Sequence, residues 1–291
     1  MHNKSDKWWN MLFVLPTFII FCLVVIVPFF IGTYYAFFQW DGIAVNPMTF
    51  VGVRNFVNVF KDGQFLSSAV KTTIFTVLGV VTINVFGMII ALLVTSKLKT
   101  KNWVRTFYFM PYLIGGLILG YIWKFIFSDG MAIIGQVTGL KSIFFNWLLS
   151  PTMALMAMVV VFTWQMAGYI MIIYITGINA IPTELIEASA VDGATGWQTF
   201  WRVKLPLMMP SITIALFMTL SNCFKIFDVN LSLTGGGPAN STELFAMNIY
   251  DEIFKSSNYG YGQAKAMIFF IIVAAFTLVQ VSITRKREVT M

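Results

Sequence analysis

Six stretches of the chain run without a charged side chain for long enough to hold a membrane-crossing helix. They lie between Lys7 and Asp41, Lys71 and Lys97, Arg105 and Lys124, Lys141 and Glu184, Lys204 and Lys225, and Lys265 and Arg285. A charge at the centre of a membrane helix costs roughly 2.5–3.5 kcal/mol, and a helical span takes about 20 apolar residues. The gaps therefore predict six spans, near residues 11–38, 73–95, 107–126, 152–178, 206–224 and 266–284. The fourth gap could hold two helices, but residues 146–152 read as an interfacial turn, and Ser150 before Pro151 is a good helix start. One span is expected there. The first gap follows Lys4 and Lys7 and superficially resembles a secretion signal. Its apolar run is too long, lacks a small-residue cleavage site and contains Pro16 and Pro28, so a membrane helix kinked at Pro28 is expected.

Composition sharpens this picture. Of 291 residues 58% are hydrophobic and only 11% charged, against about 25% charged in soluble domains, so a water-facing globular enzyme is excluded. Aromatic residues reach 16%, which suits lipid-facing and interfacial positions. The excess of 19 Lys and Arg over 12 Asp and Glu marks cytoplasmic loops in so apolar a chain, and nucleic acid is not an expected partner. The basic residues of the loop from Lys97 to Arg105 and the run Arg285-Lys286-Arg287 place both termini in the cytoplasm. Chemistry is sparse. The single histidine is His2, and Cys22 and Cys223 sit in apolar runs, so metal centres, catalytic triads and a disulfide framework have no residues to use.

Three extramembrane segments are long enough to matter: 41–72 and 225–263 outside, and 179–205 inside. Ser241-Thr242-Glu243, after Gly235-Gly236-Gly237-Pro238, predicts a short surface helix through Phe254. The inner segment is the most patterned. Thr183 can cap a short helix over residues 184–191, with Glu184 in its first turn. Asp192-Gly193 ends that helix, and a second short helix runs from about Thr195 to Lys204 into Leu205-Pro206. Ala188, Ser189, Ala190, Gly193 and Ala194 leave little bulk, while Leu185, Ile186 and Val191 offer apolar contact. This is the composition of a docking element for a cytoplasmic partner.

Glu187-Ala188-Ser189, Gly193 six residues after the glutamate, and Val203-Lys204-Leu205-Pro206 together resemble the EAA loop of ABC importer permeases. That pattern is Glu-Ala-Ala, three residues, Gly, nine residues, then Ile-x-Leu-Pro, and the chain departs from it only at Ser189 and Val203. Ile181-Pro182, Asp192-Gly193-Ala194 and Leu233-Thr234-Gly235-Gly236-Gly237-Pro238 resemble the carbohydrate-uptake branch specifically. The resemblance implies an all-α polytopic membrane protein of the cell membrane, one permease domain over residues 1–291, with six transmembrane helices and a coupling-helix loop at about 179–206. It further implies that Glu187, Ala188, Asp192, Gly193, Leu205 and Pro206 couple the permease to an ATPase. The chain carries no Gly-x-x-x-x-Gly-Lys-Ser/Thr, so ATP and magnesium are expected on separate ATPase subunits and no cofactor in this chain. The implied partners are a second related permease, two ATPase subunits, an extracytoplasmic sugar-binding protein and membrane lipid.

A sugar needs hydrogen-bond partners for its hydroxyls and flat aromatic faces for its C–H surfaces. Asn84, Gln165, Ser221, Asn222 and Gln280 are the main polar candidates within the spans, with Tyr112, Trp164 and Tyr169 as aromatics. Asn84 and Gln280 read rather as hydrogen-bonding glue between membrane helices. A gapless register on the maltose-importer permeases of the same family places Gln165, Tyr169, Asn222, Cys223 and Ile226 at sugar-lining positions, with Tyr112 close to a matching tyrosine. Only Tyr169 matches in identity, which implies a pocket for a different mono- or oligosaccharide, worked by alternating access. The larger of those permeases, on which the register is taken, also has extra N-terminal helices and a large outer domain, so contacts that depend on them are not expected here.

Rival readings fare worse. A secondary transporter would carry buried Asp, Glu or His for ion coupling, and the predicted spans hold none. A membrane transferase would need clustered His, Asp or Ser, whereas only Glu184, Glu187 and Asp192 cluster, and the EAA spacing accounts for them. An importer of the same architecture carrying glycerol phosphate would want Arg or Lys facing the pore, for which Lys225 and Lys265 are available.

Overall fold

The computed structural model describes residues 4–96 and 100–286; Lys97, Lys99 and Arg287, used above for orientation, and His2 lie outside them. Helix α1 (Lys4–Phe21) passes through a π-helical turn at Cys22–Ile26 into α2 (Val27–Tyr35). Pro28 has no N–H to give the carbonyl four residues earlier, and the ladder widens one turn ahead of it to keep a continuous 25-residue span, Met11–Tyr35. Two short antiparallel strands, β1 (Phe38–Gln39) and β2 (Thr49–Phe50), pair Phe38 with Phe50 and Gln39 with Thr49. The short α3 (Arg54–Val59) leads to α4 (Gly63–Thr95).

The third predicted span is broken. Helix α5 (Lys101–Leu113) stops where Ile114 and Gly115 adopt extended backbone, and α6 (Gly116–Phe125) continues through a π turn at Ile126–Gly130 into α7 (Met131–Thr138). The apolar helix long enough to cross a membrane here is Gly116–Thr138. It contains Lys124 and Asp129, charges at which a reading by charge-free gaps stops short. Helix α8 (Pro151–Asn179) is the single expected span of the fourth gap, and Pro151 opens it as predicted.

Helices α9 (Thr183–Val191), α10 (Gly196–Thr199) and α11 (Leu205–Leu207) follow, the last two joined by a π turn at Phe200–Lys204. Helix α12 (Met209–Phe224) meets them at a 73° bend, so the described residues hold five apolar spans, or six with this bent pair counted as one. A π turn at Asn230–Thr234 precedes α13 (Phe245–Tyr250), which runs through Asp251–Lys255, and α14 (Tyr259–Arg285) is the last span. The helix predicted through Phe254 is present, but it is no surface helix at its start: Thr242, Glu243 and Asn248 are buried.

The described residues form two compact units. One comprises Leu66–Asn248 with Ile271–Met291, the other Met1–Phe65 with Ile249–Phe270. In the larger unit α8 is the central helix, buried on most of its faces through Ala157, Met158, Val161, Ile170 and Met171. Gly168 lets α5 cross it at backbone contact, since a Cβ there would lie 1.9 Å from the Tyr108 carbonyl oxygen. Asn84 on α4 donates to Thr219 on α12 and accepts from the Tyr174 hydroxyl on α8, the interhelical role expected of it. Gln280 bonds only Thr284 on its own helix among the described residues.

In the smaller unit Lys265 is fully buried, yet its ammonium meets Asp62 at 2.8 Å and Glu252 at 2.6 Å. It therefore cannot serve an anion in a pore, as the sequence left open. Burial pushes the Asp62 carboxyl up, but hydrogen bonds from Lys265, the Phe65 N–H and the Tyr261 hydroxyl, with the lysine charge, outweigh it and hold the group below the usual carboxylate value.

Candidate functional site

Within the larger unit, the end of α5, the start of α6, the middle of α8 and the end of α12 enclose a cavity of about 280 Å³. Tyr112, Gly116, Phe162, Gln165 and Asn222 line it, together with the chain that leaves α12 from Lys225 to Val229. The break between α5 and α6 makes this possible. An interrupted helix leaves carbonyls without an intrahelical partner, and Gln165 donates through Nε2 to one of them, Ile114 O, at 3.1 Å. Asn222 is held by donation from Nδ2 to Met218 O at 2.8 Å. The Tyr112 ring is stacked on Tyr169, centroids 4.6 Å apart and planes 15° from parallel, which fixes a flat aromatic face at the wall.

Of the six residues singled out for substrate, the structure brings Tyr112, Gln165, Asn222 and Ile226 to one cavity. Tyr169 stands behind Tyr112. Cys223 is fully buried and turned to α4, where a Cβ on Gly79 would come 2.8 Å from its sulfur; it packs helices and does not line the cavity. A gapless register predicts position along a helix, whereas one residue's step rotates a side chain about 100° around the axis. Asp228, which sequence analysis did not single out, lines the cavity opposite in charge to Lys225.

The coupling loop has the expected helix–turn–helix form. Pro182, not Thr183, occupies the cap position of α9, and Thr183 is the first helical residue. Gly193 adopts φ +74°, a left-handed turn that costs other residues roughly 1–2 kcal/mol. The Gly193 N–H donates to Ala190 O, and Ala194 N–H to Ser189 O, so the turn closes the helix end. Thr195 and Gln198 then cap α10 reciprocally. Ser189, the departure from Glu-Ala-Ala, is buried. Its hydroxyl donates to Ile186 O at 2.7 Å and lies 3.2 Å from the Thr199 hydroxyl, linking the two short helices. Glu187, Ala188, Asp192 and Gly193 are exposed, Leu205 and Pro206 half-buried. Leu185, Val191, Trp197 and Trp201 present exposed apolar surface, while Ile186 packs inward against the core.

A family model described as the binding-protein-dependent transport system inner membrane component matches residues 83–289. The chain belongs to that family. The permease is 46% identical over 283 residues, 97% of this chain and 96% of the relative, to the probable starch degradation products transport system permease protein AmyD of Thermoanaerobacterium thermosulfurigenes. It is 35% identical, over 98% of both chains, to the multiple sugar-binding transport system permease protein MsmF of Streptococcus mutans. Over 82% of both chains it is 31% identical to the sn-glycerol-3-phosphate transport system permease protein UgpA of Agrobacterium fabrum. Among solved structures, a bacterial ABC transporter involved in the import of the acidic polysaccharide alginate shares its fold, with a TM-score of 0.80, 21% identity and 97% and 96% of the two chains covered. Cavity and coupling loop both lie within the residues that the family model matches.

Proposed function

We propose that the permease carries a neutral oligosaccharide through the membrane, that the 280 Å³ cavity is this subunit's wall of the sugar path, and that the loop around Glu187 receives the stroke of an ATPase. The observation that carries the reading is the meeting of a stacked tyrosine, a glutamine and an asparagine from three separate helices at one cavity. Amides both donate and accept, as sugar hydroxyls do, and a fixed aromatic face suits the C–H side of a pyranose. The volume lies near the lower end of ligand cavities, roughly 300–1,000 Å³, which fits one part of a site completed by a second permease subunit. The relatives named for starch degradation products and multiple sugars support a starch-derived substrate.

Glycerol phosphate, named for a more distant relative, finds a cation at Lys225, but Asp228 in the same cavity offsets it, which favours an uncharged solute. On this reading ATP and magnesium bind two cytoplasmic ATPase subunits, an extracytoplasmic binding protein delivers the sugar, and the termini and coupling loop face the cytoplasm. Glu187, Ala188, Asp192 and Gly193 then meet the ATPase, with Leu205 and Pro206 passing the movement to α12. Uptake of radiolabelled maltotriose by proteoliposomes holding the whole importer tests the substrate. Saturable, ATP-dependent uptake is expected; transport of glycerol 3-phosphate with no neutral sugar transported would overturn it.

A further inference from the structure

The smaller unit carries two adjoining cavities, of about 310 and 390 Å³, that share Gln39 and Asn258. The first is lined by Gln39, Arg54, Asn55, Asn58, Asn258 and Tyr261, with no aliphatic side chain among them. The second adds the indole of Trp40 and the Asp41 carboxylate. We propose that this trough is a second carbohydrate site, separate from the cavity between α5, α8 and α12, which binds a neutral oligosaccharide on the side of the membrane that residues 41–72 face.

The geometry is that of a prepared site. Three amides are each pinned at one end: Gln39 Oε1 accepts from Arg54 at 2.9 Å, Asn55 Nδ2 donates to Ala36 O and Phe38 O at 2.9 Å, and Asn258 Nδ2 donates to Glu252 at 2.8 Å. Their other ends, Gln39 Nε2, Asn55 Oδ1 and Asn258 Oδ1, make no hydrogen bond among the described residues. One donor and two acceptors thus stand open to solvent at the trough, those of Gln39 and Asn258 on exposed side chains whose other ends are fixed. The exposed Asn58 adds an amide whose side chain is likewise unbonded. Trp40 is braced by Tyr35 and Tyr259, ring centroids 4.8 and 5.4 Å away, and by donation from Nε1 to Ile43 O. Beside Asn258, Ser257 holds φ +54°, a conformation that non-glycine residues keep mainly where the surroundings impose it, often at functional sites. Arg54 and Asp41 offset each other, so the trough favours neither anions nor cations. The wall residues from Gln39 to Asn58 precede the region matched by the family model, while Ser257, Asn258 and Tyr261 lie within it.

The inference takes its probe, and the side the trough faces, from the function proposed above. The test uses the whole importer in nanodiscs without binding protein, titrated with maltotriose and followed by saturation-transfer NMR. Wild-type and Asn222→Leu complexes should both show saturable transfer to maltotriose, with alginate oligosaccharides and glycerol 3-phosphate failing to compete. Asn58→Leu and Asn258→Leu should weaken this binding about tenfold, equivalent to about 1.4 kcal/mol. Asn58 makes no bond in the frame, so a loss there does not report misfolding. An Asn222→Leu complex that binds no maltotriose would overturn the trough, as would binding that both trough variants leave intact. So would variants that keep sugar binding and lose only stimulation of ATP hydrolysis by the binding protein, for the trough would then be a protein-docking face. Normal maltotriose uptake alongside an absent trough signal removes this inference alone. A trough signal with no uptake of any neutral sugar supports it while removing the proposed function.

Discussion

Gln165 bonds across to a different helix, and this separates it from Asn222 although both line the same cavity. Its amide nitrogen satisfies Ile114 O at the break between α5 and α6, so Gln165→Leu leaves that carbonyl unpaired and should lower the stability of the complex by about 1–3 kcal/mol. Asn222 spends its amide nitrogen on Met218 O of its own helix, a carbonyl that the helix supplies in any case. Asn222→Leu should therefore keep thermal stability and assembly while weakening sugar contact by about 1–3 kcal/mol. Thermal unfolding and sugar uptake measured on the same two preparations separate the effects; equal loss of stability in both would contradict the distinction. Cys223 is a third case. Buried against Gly79, it should resist a membrane-permeant maleimide in the native complex, and sugar should not change its rate. Cys223→Leu should destabilise by about 1–3 kcal/mol through overpacking, as the same unfolding assay would show.

Among the elements, the loop around Glu187 is held by its own hydrogen bonds and leaves Glu187, Ala188 and Asp192 exposed to solvent. Gly193→Ala forces a Cβ into a left-handed turn and should cost about 1 kcal/mol, tilting α9 against α10 and reducing coupling. Glu187→Ala removes an exposed group and should leave folding alone while reducing co-purification of the ATPase; retention of the ATPase by both variants would move the joint elsewhere. The Lys265 cluster behaves differently because it is internal. The Asp62 carboxyl is held below its usual value in the folded protein, so its contribution is fully present above the unfolded carboxylate pKa, about 3.9. That contribution is lost as pH falls through the lower folded value. Asp62→Asn should remove it at neutral pH, costing about 1–3 kcal/mol, since Glu252 still pairs Lys265. The variant's stability should then fall less steeply under acid than that of the wild type. Parallel acid-unfolding curves would mean that Asp62 does not carry this dependence.

For the whole molecule, topology is the first quantity to measure. In a background with Cys22 and Cys223 replaced, Glu184→Cys should label only from the cytoplasmic side and Asn240→Cys only from the opposite side. Labelling of both from one side would reverse or remove a span, and the bent pair at Met208 is where such an error would enter. On the proposed function, sugar uptake by proteoliposomes should need a second permease subunit beside this chain, because a cavity of about 280 Å³ is too small to enclose an oligosaccharide by itself.

Membrane class, the α9–turn–α10 loop and family membership were legible in the sequence, and the span number to within one, because each rests on local physics. Charges cannot be spread through lipid-crossing helices at low cost, Pro151 starts a helix, and Gly193 accepts a left-handed turn wherever it stands. The EAA spacing is likewise carried by consecutive residues. Tertiary structure alone decided what lies between distant segments. It placed the break at Ile114 and Gly115 where Gln165, far along the chain, could satisfy it, and it turned Cys223 away from the cavity that Asn222 lines. It buried Lys265 between two carboxylates that the sequence separates widely, and it paired Phe38 with Phe50 and Gln39 with Thr49 beside Asn258 to form the trough. Such pairings depend on which side of a helix meets which neighbour, a choice that the packing of the folded chain makes and that hydropathy along it does not encode.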